Sequence, residues 1–496
     1  MTEKRETADA SDLLSSLTIK AENKTTESKE EPKPESKPEV KEESKDEVKP
    51  EVKDEVKSEP KSESKDESKQ TNDTPEQESN LIKSTYEVKV KLADLQADPN
   101  SPLYSIKSFE ELGLSNELLK GLYAMKYQKP SKIQEKALPL LISNPPRNMI
   151  GQSQSGTGKT AAFSLTMLSR IDPSINNVQA ICLAPARELA RQTLDVVETM
   201  GKYTGITTQL IVPNVVERNA KINAQVLVGT PGTLLDFIRR KQIDVSQLKV
   251  FVLDEADNML DQQGLGDQCV RVKKFLPKTA QLVIFSATFP DQVKNYAEKF
   301  VPNANQLTLK QEELNVDAIK QLYMDCDSEN HKFEVLNELY GLLTIGSSII
   351  FVGKKDTANI LYKKLKMEGH QVSILHSDLE TSERDKLIDD FRFGRSKVLI
   401  TTNVLSRGID IPSVSMVVNY DLPVDRNKQP DPSTYLHRIG RTGRFGRVGV
   451  AISFVHDKKS YQQLMAIRSY FGDIELTRVP TDDWEEVEKI VKKVLK

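Results

Sequence analysis

Ser155-Gly156-Thr157-Gly158-Lys159-Thr160 has the residue types that enclose a nucleotide's phosphates. Glycines let backbone N–H groups turn onto phosphate oxygens, a lysine reaches the terminal phosphates, and a hydroxyl binds magnesium. Gly158, Lys159 and Thr160 meet the pattern Gly-x-x-x-x-Gly-Lys-Thr, while Ser153 stands at the leading glycine. Asp254-Glu255-Ala256-Asp257 follows the apolar run Val250–Leu253. A carboxylate at the end of a strand, Asp254, is suited to hold Mg2+ through water. Glu255 beside it is suited to orient and deprotonate an attacking water. An acidic helix start is the plain alternative, but the phosphate loop upstream favours chemistry. Ser286-Ala287-Thr288, after another apolar run, supplies two hydroxyls fit to relay nucleotide state by hydrogen bonds.

The second cluster lies far along the chain: His437-Arg438-Ile439-Gly440-Arg441-Thr442-Gly443-Arg444. Arginines stabilise the charge spread over phosphoryl oxygens during transfer, and Arg441 and Arg444 share one face if helical. A structural helix paired to surface carboxylates would carry acidic residues, and this run has none. Too much chain separates the two clusters for one compact domain. The active site is therefore expected to be split across two domains that close on nucleotide.

The intervening chain has the elements to position these groups. Val88, Val90 and Leu92 alternate with charged residues, as a half-buried edge strand would. Ala180–Leu183, Val226–Val228, Val250–Leu253 and Leu282–Phe285 are short apolar runs paired with helical patterns, the mark of a parallel sheet with crossover helices. The pattern restarts with Ser348–Val352, Val372–Leu375, Lys397–Ile400 and Met416–Val418, separated by helical stretches such as Thr357–Met367 and Ser382–Phe391. The expected organisation is a tail over residues 1–80, one α/β domain over 81–308, a linker at 309–315 and a second α/β domain over 316–496. A last helix presents Trp484, Val487, Ile490, Val491 and Val494 on one face, fit to cap the second core.

At 496 residues the chain has room for about three domains of roughly 150 residues, but residues 1–80 are nearly free of aromatics and crowded with Lys, Glu, Ser and Pro. Such a tail is expected to be disordered, a solubilising or spacing segment, since it cannot bury enough apolar surface to offset its ordering entropy. Within it, Leu14, Leu17 and Ile19 have spacing compatible with a nuclear export signal, with a short helix that docks transiently, or with no role at all. The formal net charge of −3 excludes little, because a nucleic-acid binder needs basic groups along one groove only. Cys182, Cys269 and Cys326 lie far apart, which suggests neither a zinc site nor a disulfide framework and fits a reducing compartment. No apolar run approaches a membrane span, so no membrane insertion is expected.

In motif order from about Phe109 to Arg444, the chain resembles the DEAD-box RNA helicases. The resemblance implies two RecA-like parallel-sheet domains in tandem, an RNA-stimulated ATPase activity, ATP and Mg2+ as ligands, and a monomeric protein. Phe109 with Pro130-Ser131-Lys132-Ile133-Gln134 resembles the adenine-reading element, in which Phe109 stacks on the base and Gln134 hydrogen-bonds its edge. Arg407-Gly408-Ile409-Asp410 resembles the element that brings Gly408 to the γ-phosphate and Asp410 to the ribose. Arg441 and Arg444 match the arginine fingers. Asp257, Ser286, Thr288 and His437 match the coupling between domains. Pro185, Arg187, Thr230, Gly232, Arg384 and Thr402 match positions that hold the backbone of single-stranded RNA. Hydroxyls, helix-start N–H groups and arginines suit phosphates and 2′-OH groups, and no aromatic ladder suggests base reading. The helix after Gly232 resembles the wedge that bends one strand.

The chain departs from the family's usual residues at several points. Thr233 stands for Arg, Asn403 for Asp, Thr381 for Gln and Lys126 for Gly, and Val212-Pro213-Asn214-Val215 occupies a customary Gly-Gly region. These bear on individual RNA contacts rather than on the ATPase core. Asp98–Ser105, Val424–Thr434, Phe445-Gly446-Arg447 and Arg478–Trp484 are similar to the branch of the family that exports mRNA at the cytoplasmic face of the nuclear pore. That branch implies a nucleoporin partner, an export activator using inositol hexakisphosphate, removal of export proteins from mRNA, and shuttling between nucleus and cytoplasm. Lys492, Lys493 and Lys496 would suit the polyphosphate, or simply a solvated helix end. Two rivals stay open: a helicase of another RNA pathway, and an ATP-gated RNA clamp with little turnover. A phosphate-loop transporter or GTPase conflicts with the second sheet and with Gln134.

Overall fold

Four-residue apolar runs leave both faces of a strand in need of cover, and the chain supplies that cover with helices between the strands. The structure, a computed structural model, describes residues 89–93, 105–153, 156–217, 219–261, 264–308, 319–342, 346–403, 414–443 and 448–495. The tail expected over 1–80, the Leu14–Ile19 segment and the linker at 309–315 lie outside them.

The first part of the chain forms β1 (Lys89–Lys91), α1 (Asn116–Ala124), α2 (Lys132–Ile142), β2 (Met149–Gln152), α3 (Lys159–Ser169), β3 (Ala180–Leu183), α4 (Arg187–Gly201) and β4 (Thr208–Ile211). It continues with β5 (Val226–Gly229), α5 (Pro231–Arg239), β6 (Val250–Leu253), α6 (Ala256–Asp261), α7 (Leu265–Lys273), β7 (Gln281–Ser286), α8 (Asp291–Phe300) and β8 (Asn305–Thr308). Its eight strands lie in the order β1-β8-β2-β7-β6-β3-β5-β4. All pair in parallel except β1, which runs antiparallel along β8 at the edge.

The second part forms β9 (Ile319–Asp325), α9 (His331–Leu342), β10 (Ser348–Phe351), α10 (Lys355–Met367), β11 (Val372–Leu375), α11 (Thr381–Arg392) and β12 (Val398–Thr401). Then come β13 (Met416–Asn419), α12 (Pro432–Ile439), β14 (Gly449–Val455), α13 (Lys458–Tyr470), β15 (Thr477–Val479) and α14 (Trp484–Leu495). Seven strands pair in parallel in the order β11-β12-β10-β13-β14-β9-β15.

Alternation along each strand splits the side chains between two cores. In the first sheet Cys182, Val228 and Val252 enter one core, while Ile181, Leu227 and Phe251 enter the other. In the second, Ile350, Ile400 and Val418 face one side and Ile349, Leu399 and Val417 the opposite. Val487 and Val491 of α14 are fully buried against the first of these, with Trp484 and Ile490 packed beside them, so the last helix caps the second core as its pattern suggests. The three cysteines are free and buried. Among the described residues no helix is long and apolar enough to cross a membrane.

Parallel strands deliver their carboxyl ends to one edge of each sheet, and the following loops and helix starts carry the polar residues. The phosphate loop follows β2, Asp254 follows β6, and Ala287 and Thr288 follow Ser286 at the end of β7. In the second sheet Thr402 follows β12.

Candidate active site

The phosphate loop turns on two left-handed glycines, Gly156 at φ 81° and Gly158 at φ 97°. A Cβ on Gly158 would stand 2.5 Å from Gln134 Nε2, so only glycine fits there. Ser153, in place of the leading glycine, is buried, and its hydroxyl hydrogen-bonds that of Thr157 across the loop. Ser155 lies outside the described residues. Thr160 is half-buried on the first turn of α3.

Ser131 and Gln134 tie this loop to α2. Ser131 caps the helix, its backbone N–H donates to Gln134 Oε1 at 2.9 Å, and its hydroxyl donates to the Thr157 carbonyl at 2.7 Å. Gln134 Nε2 donates to the Gly158 carbonyl at 3.0 Å. Phe109 and Gln134, expected on the adenine, are each only 1% exposed. Both ends of the Gln134 amide hold the chain, which leaves its second N–H and one oxygen lone pair for the edge of a base.

Lys159 folds onto the acidic cluster, with Nζ 2.6 Å from Glu255 Oε1 and 3.6 Å from Asp254 Oδ1. Burial works against its charge, but Glu255 and Asp254 outweigh burial and raise its pKa above the ordinary lysine value. Burial pushes Asp254 up to about 6, against the pull of Lys159. Burial also opposes ionisation of Glu255, yet Lys159 and His437 reverse the effect and leave it below its ordinary value. The two carboxylates thus have opposite tendencies in one pocket. Asp254 Oδ2 and Glu255 Oε2 are buried without a hydrogen-bond partner. Glu255 has φ 54°, a left-handed conformation that a non-glycine residue adopts at a cost of order 1–3 kcal/mol.

Asp257 joins the two sheets. Its Oδ2 accepts the Thr288 hydroxyl at 2.8 Å and the Thr288 N–H at 3.2 Å, and lies 3.0 Å from His437 Nε2. Ser286 Oγ accepts the Asp257 N–H at 3.0 Å. His437 Nδ1 stands 3.8 Å from Glu255 Oε2. Ser433, which no motif in the sequence singles out, places its hydroxyl 3.1 Å from that of Thr288. Arg441 is 1% exposed, with its Nε donating to the His437 carbonyl at 3.0 Å. Gly408, Asp410 and Arg444 lie outside the described residues.

The residues expected on RNA fall at helix starts. Pro185 is buried just before α4, Thr230 is the N-cap residue of α5 with Pro231 in its first turn, and Gly232 is exposed. Thr402 is half-buried after β12. Arg187 and Arg384 are engaged elsewhere: Arg187 Nη2 pairs with Asp385 at 2.7 Å and its Nη1 donates to the Pro213 carbonyl at 3.1 Å, while Arg384 pairs with Glu188. Their charge faces carboxylates across the two sheets instead of presenting a free cationic surface.

Residues 131–296 match the model of the DEAD/DEAH box helicase family, and residues 331–446 match that of the helicase conserved C-terminal domain. The chain belongs to the DEAD/DEAH box helicase family. Among relatives of this DEAD-box chain, the ATP-dependent RNA helicase DBP5 of Debaryomyces hansenii is 81% identical over 425 residues, 86% of each chain. The protein of the same name from Saccharomyces cerevisiae is 75% identical over 423 residues, 85% of this chain and 88% of its own. The fold is similar to that of S. cerevisiae Dbp5 bound to RNA and ADP BeF3, with TM-score 0.77 and 75% identity over 79% of this chain and all of that one. It is also similar to a variant of Dbp5 bound to Nup159, Gle1, IP6 and ADP, with TM-score 0.58 and 72% identity over 77% of this chain and all of that one.

The structure explains several departures of this DEAD-box chain from the usual residues. Lys126, in place of glycine, has φ 65°, and Asn214, in the customary Gly-Gly region, has φ 62°. Both positions need the left-handed conformation, and asparagine tolerates it better than lysine. Asn403 Oδ1 accepts Arg438 Nη2 at 2.6 Å, so the amide keeps an acceptor for a fully buried arginine. Thr233 pairs hydroxyl to hydroxyl with Thr230 at 3.3 Å. Nothing in the structure explains Thr381 at the start of α11.

Proposed function

We propose that the chain is an ATP-dependent RNA helicase, an RNA-stimulated ATP hydrolase that locally unwinds RNA and remodels RNA–protein complexes in mRNA export at the nuclear pore. The observation that carries this reading is the Asp257–His437 contact at 3.0 Å, which joins the acidic cluster of the first sheet to α12 of the second, with Arg441 in the turn that follows that helix.

The site's residues fit the nucleotide. The glycine cradle, the buried Lys159 and the unpartnered Asp254 Oδ2 are what a polyphosphate with its counter-ion would satisfy. Ser155, Gly156, Thr157, Gly158, Lys159 and Thr160 hold the phosphates, Phe109 and Gln134 the adenine, and Gly408 and Asp410 the γ-phosphate and ribose. Thr160 and Asp254 would hold Mg2+, the latter through water, and the ion would neutralise phosphate charge.

In this reading Lys159 exchanges its pair with Glu255 for phosphate oxygens. That releases Glu255 Oε1 to accept a proton from the attacking water. Arg441 and Arg444 stabilise the transferring group from the second domain. Asp257, Ser286, Thr288 and His437 make hydrolysis and closure one event, because the contacts span both sheets. RNA lies along Pro185, Thr230, Gly232 and Thr402, with Arg187 and Arg384 at the edge of that path.

The pore assignment draws on the relatives, whose structures hold Nup159, Gle1 and IP6. A nucleoporin and an export activator are the proposed partners, at the cytoplasmic face of the pore, with shuttling through the nucleus. Lys493 is exposed on α14 and suits the inositol hexakisphosphate shared with the activator; Lys496 and the side chain of Lys492 lie outside what the structure describes.

Single-turnover hydrolysis with and without single-stranded RNA tests the activity. Stimulation by RNA is expected, and its absence in the unsubstituted chain overturns the reading. If no pore component co-purifies with the RNA-crosslinked protein from cells, the export assignment falls and the helicase stands.

A further inference from the structure

The helices α4 and α11 carry matched charges in matched register. Arg187 and Arg191 are four residues apart on α4, and Asp385 and Asp389 are four apart on α11. Arg187 Nη2 meets Asp385 Oδ2 at 2.7 Å, and Arg191 Nη2 meets Asp389 Oδ2 at 2.7 Å. Arg191 Nη1 also lies 3.5 Å from Asp385 Oδ1, which braces the two rungs against each other. Residues four apart lie on one helical face about 6 Å apart along the axis. Two successive rungs therefore fix both the rotation and the sliding of one helix on the other.

The signs make the match directional. Next to Arg187 stands Glu188, and next to Asp385 stands Arg384, which pairs back to Glu188 with opposite polarity. A slip of α11 by one turn leaves Arg191 without Asp389 or Arg187 without Asp385. A rotation by one residue brings arginine toward arginine. Like-charge juxtaposition suppresses wrong registers as strongly as pairing favours the right one.

We infer that Arg191 and Asp389 are positioning residues that set the register in which the two domains close on RNA. The inference rests on the helicase reading above and extends it to two side chains outside the nucleotide and RNA sites. Arg187 and Arg384 border the proposed RNA path, where phosphate competes with Asp385 and Glu188 for their charge. The outer rung, one turn further along both helices, lies clear of that competition. Asp389 is also within 3.8 Å of Arg392, so α11 itself braces the outer carboxylate. Both outer residues are part-exposed, at 32% and 25% of the side chain, and the rung is therefore screened by salt.

The experiment is a charge swap in the full chain, using Arg191→Glu, Asp389→Arg and the double variant. It reads RNA-stimulated ATPase against RNA concentration, alongside the distance between fluorophores on the two domains. Each single substitution is expected to raise the KM for RNA about fivefold with kcat at saturating RNA unchanged. The double variant restores opposite charges on the rung but sets the new charges against Asp385 and Arg392, so it is expected to recover part of the loss and to fall between the worse single variant and the unsubstituted chain. The neutral variants Arg191→Gln and Asp389→Asn, which carry no repulsion and little folding risk, should raise KM less and remove its dependence on salt at this rung. No change in either neutral variant, or a double variant no better than the worse single one, overturns the inference. RNA stimulation of the unsubstituted chain is read in the same assay, so failure of the helicase reading is seen separately.

Discussion

His437 Nε2 and Asp257 Oδ2, 180 residues apart in sequence, stand 3.0 Å apart between the two sheets, and both side chains are almost fully buried. The same carboxylate oxygen is held from the first domain by the hydroxyl and N–H of Thr288. Three donors thus converge on one oxygen, two from the loop after β7 and one from α12. A shift of either sheet must break a buried contact, which is why this pair is suited to report closure. Groups that act as a unit are non-additive when removed. Asp257→Ala and His437→Ala are each expected to lower RNA-stimulated kcat by about 10- to 100-fold, with the double variant no worse than the worse single one. Steady-state ATPase at saturating RNA measures this cycle, and additive losses would show that the two residues act separately.

Asp254 predicts a pH dependence of stability. Its folded-state pKa of about 6 lies above the ordinary value of 3.8, chiefly through burial. Between those values the folded chain binds more protons than the unfolded chain, so stability falls as pH rises through the window and the full cost is present above it. Ionised Asp254 therefore costs up to about 3 kcal/mol near neutral pH. Asp254→Asn, in a chelator and without nucleotide, is expected to melt a few degrees higher at about pH 7.5, with the gain vanishing near pH 4. Thermal unfolding across that range checks it, and an equal gain at all pH values would assign the effect to something other than ionisation. ATPase activity should be lost in this variant, a trade of stability against function.

Motif residues were legible in the sequence because chemistry there needs rare types in fixed places. Lys159 after a glycine pair, and Asp254 after a β-branched run, have few structural uses. Strands β3, β5, β6 and β7 were legible because burial on both faces requires unbroken apolar runs. The strand β9 was not, since Lys320 and Gln321 interrupt its apolar pattern, and the largely polar strand β8, between β1 and β2, offered no run at all. Arg191 and Asp389 were illegible for a different reason. A charge at helical spacing reads as a solvated face until the opposite helix is known, and the pairing spans 198 residues of sequence. Ser433 was hidden in the same way, its role resting entirely on where Thr288 lies.

Gln134 carries a distinct expectation because its amide has two jobs within the chain. Its Oε1 accepts the Ser131 N–H in the capping box of α2, and its Nε2 holds the Gly158 carbonyl. Gln134→Ala removes both and is expected to cost about 1–2 kcal/mol in stability while raising the KM for ATP. Gln134→Glu keeps the capping acceptor but sets a carboxylate oxygen against the Gly158 carbonyl. Because the site is buried, that charge should cost more stability than the alanine variant does and lose at least as much ATP affinity. Denaturant unfolding paired with ATP titration separates the two contributions. A smaller stability loss in Gln134→Glu than in Gln134→Ala would mean that the cap, not the Gly158 contact, dominates.

Lys126 closes the turn after α1 at φ 65°, a conformation that glycine reaches without steric cost and lysine does not. The Lys126 N–H still donates to the Tyr123 carbonyl at 2.9 Å, so the backbone is committed to this geometry. Relief of the Cβ clash opposes the greater entropy that glycine gains in the unfolded chain. At a left-handed position the clash outweighs the entropy. Lys126→Gly is therefore expected to stabilise the chain by up to about 1 kcal/mol, while Lys126→Val, whose β-branched side chain tolerates positive φ least, should destabilise it by more than that. The position lies outside the nucleotide contacts, so the ATPase rate serves as an internal control. A loss of stability on Lys126→Gly, measured by denaturant unfolding, would show that the lysine side chain contributes packing or charge that exceeds its backbone strain.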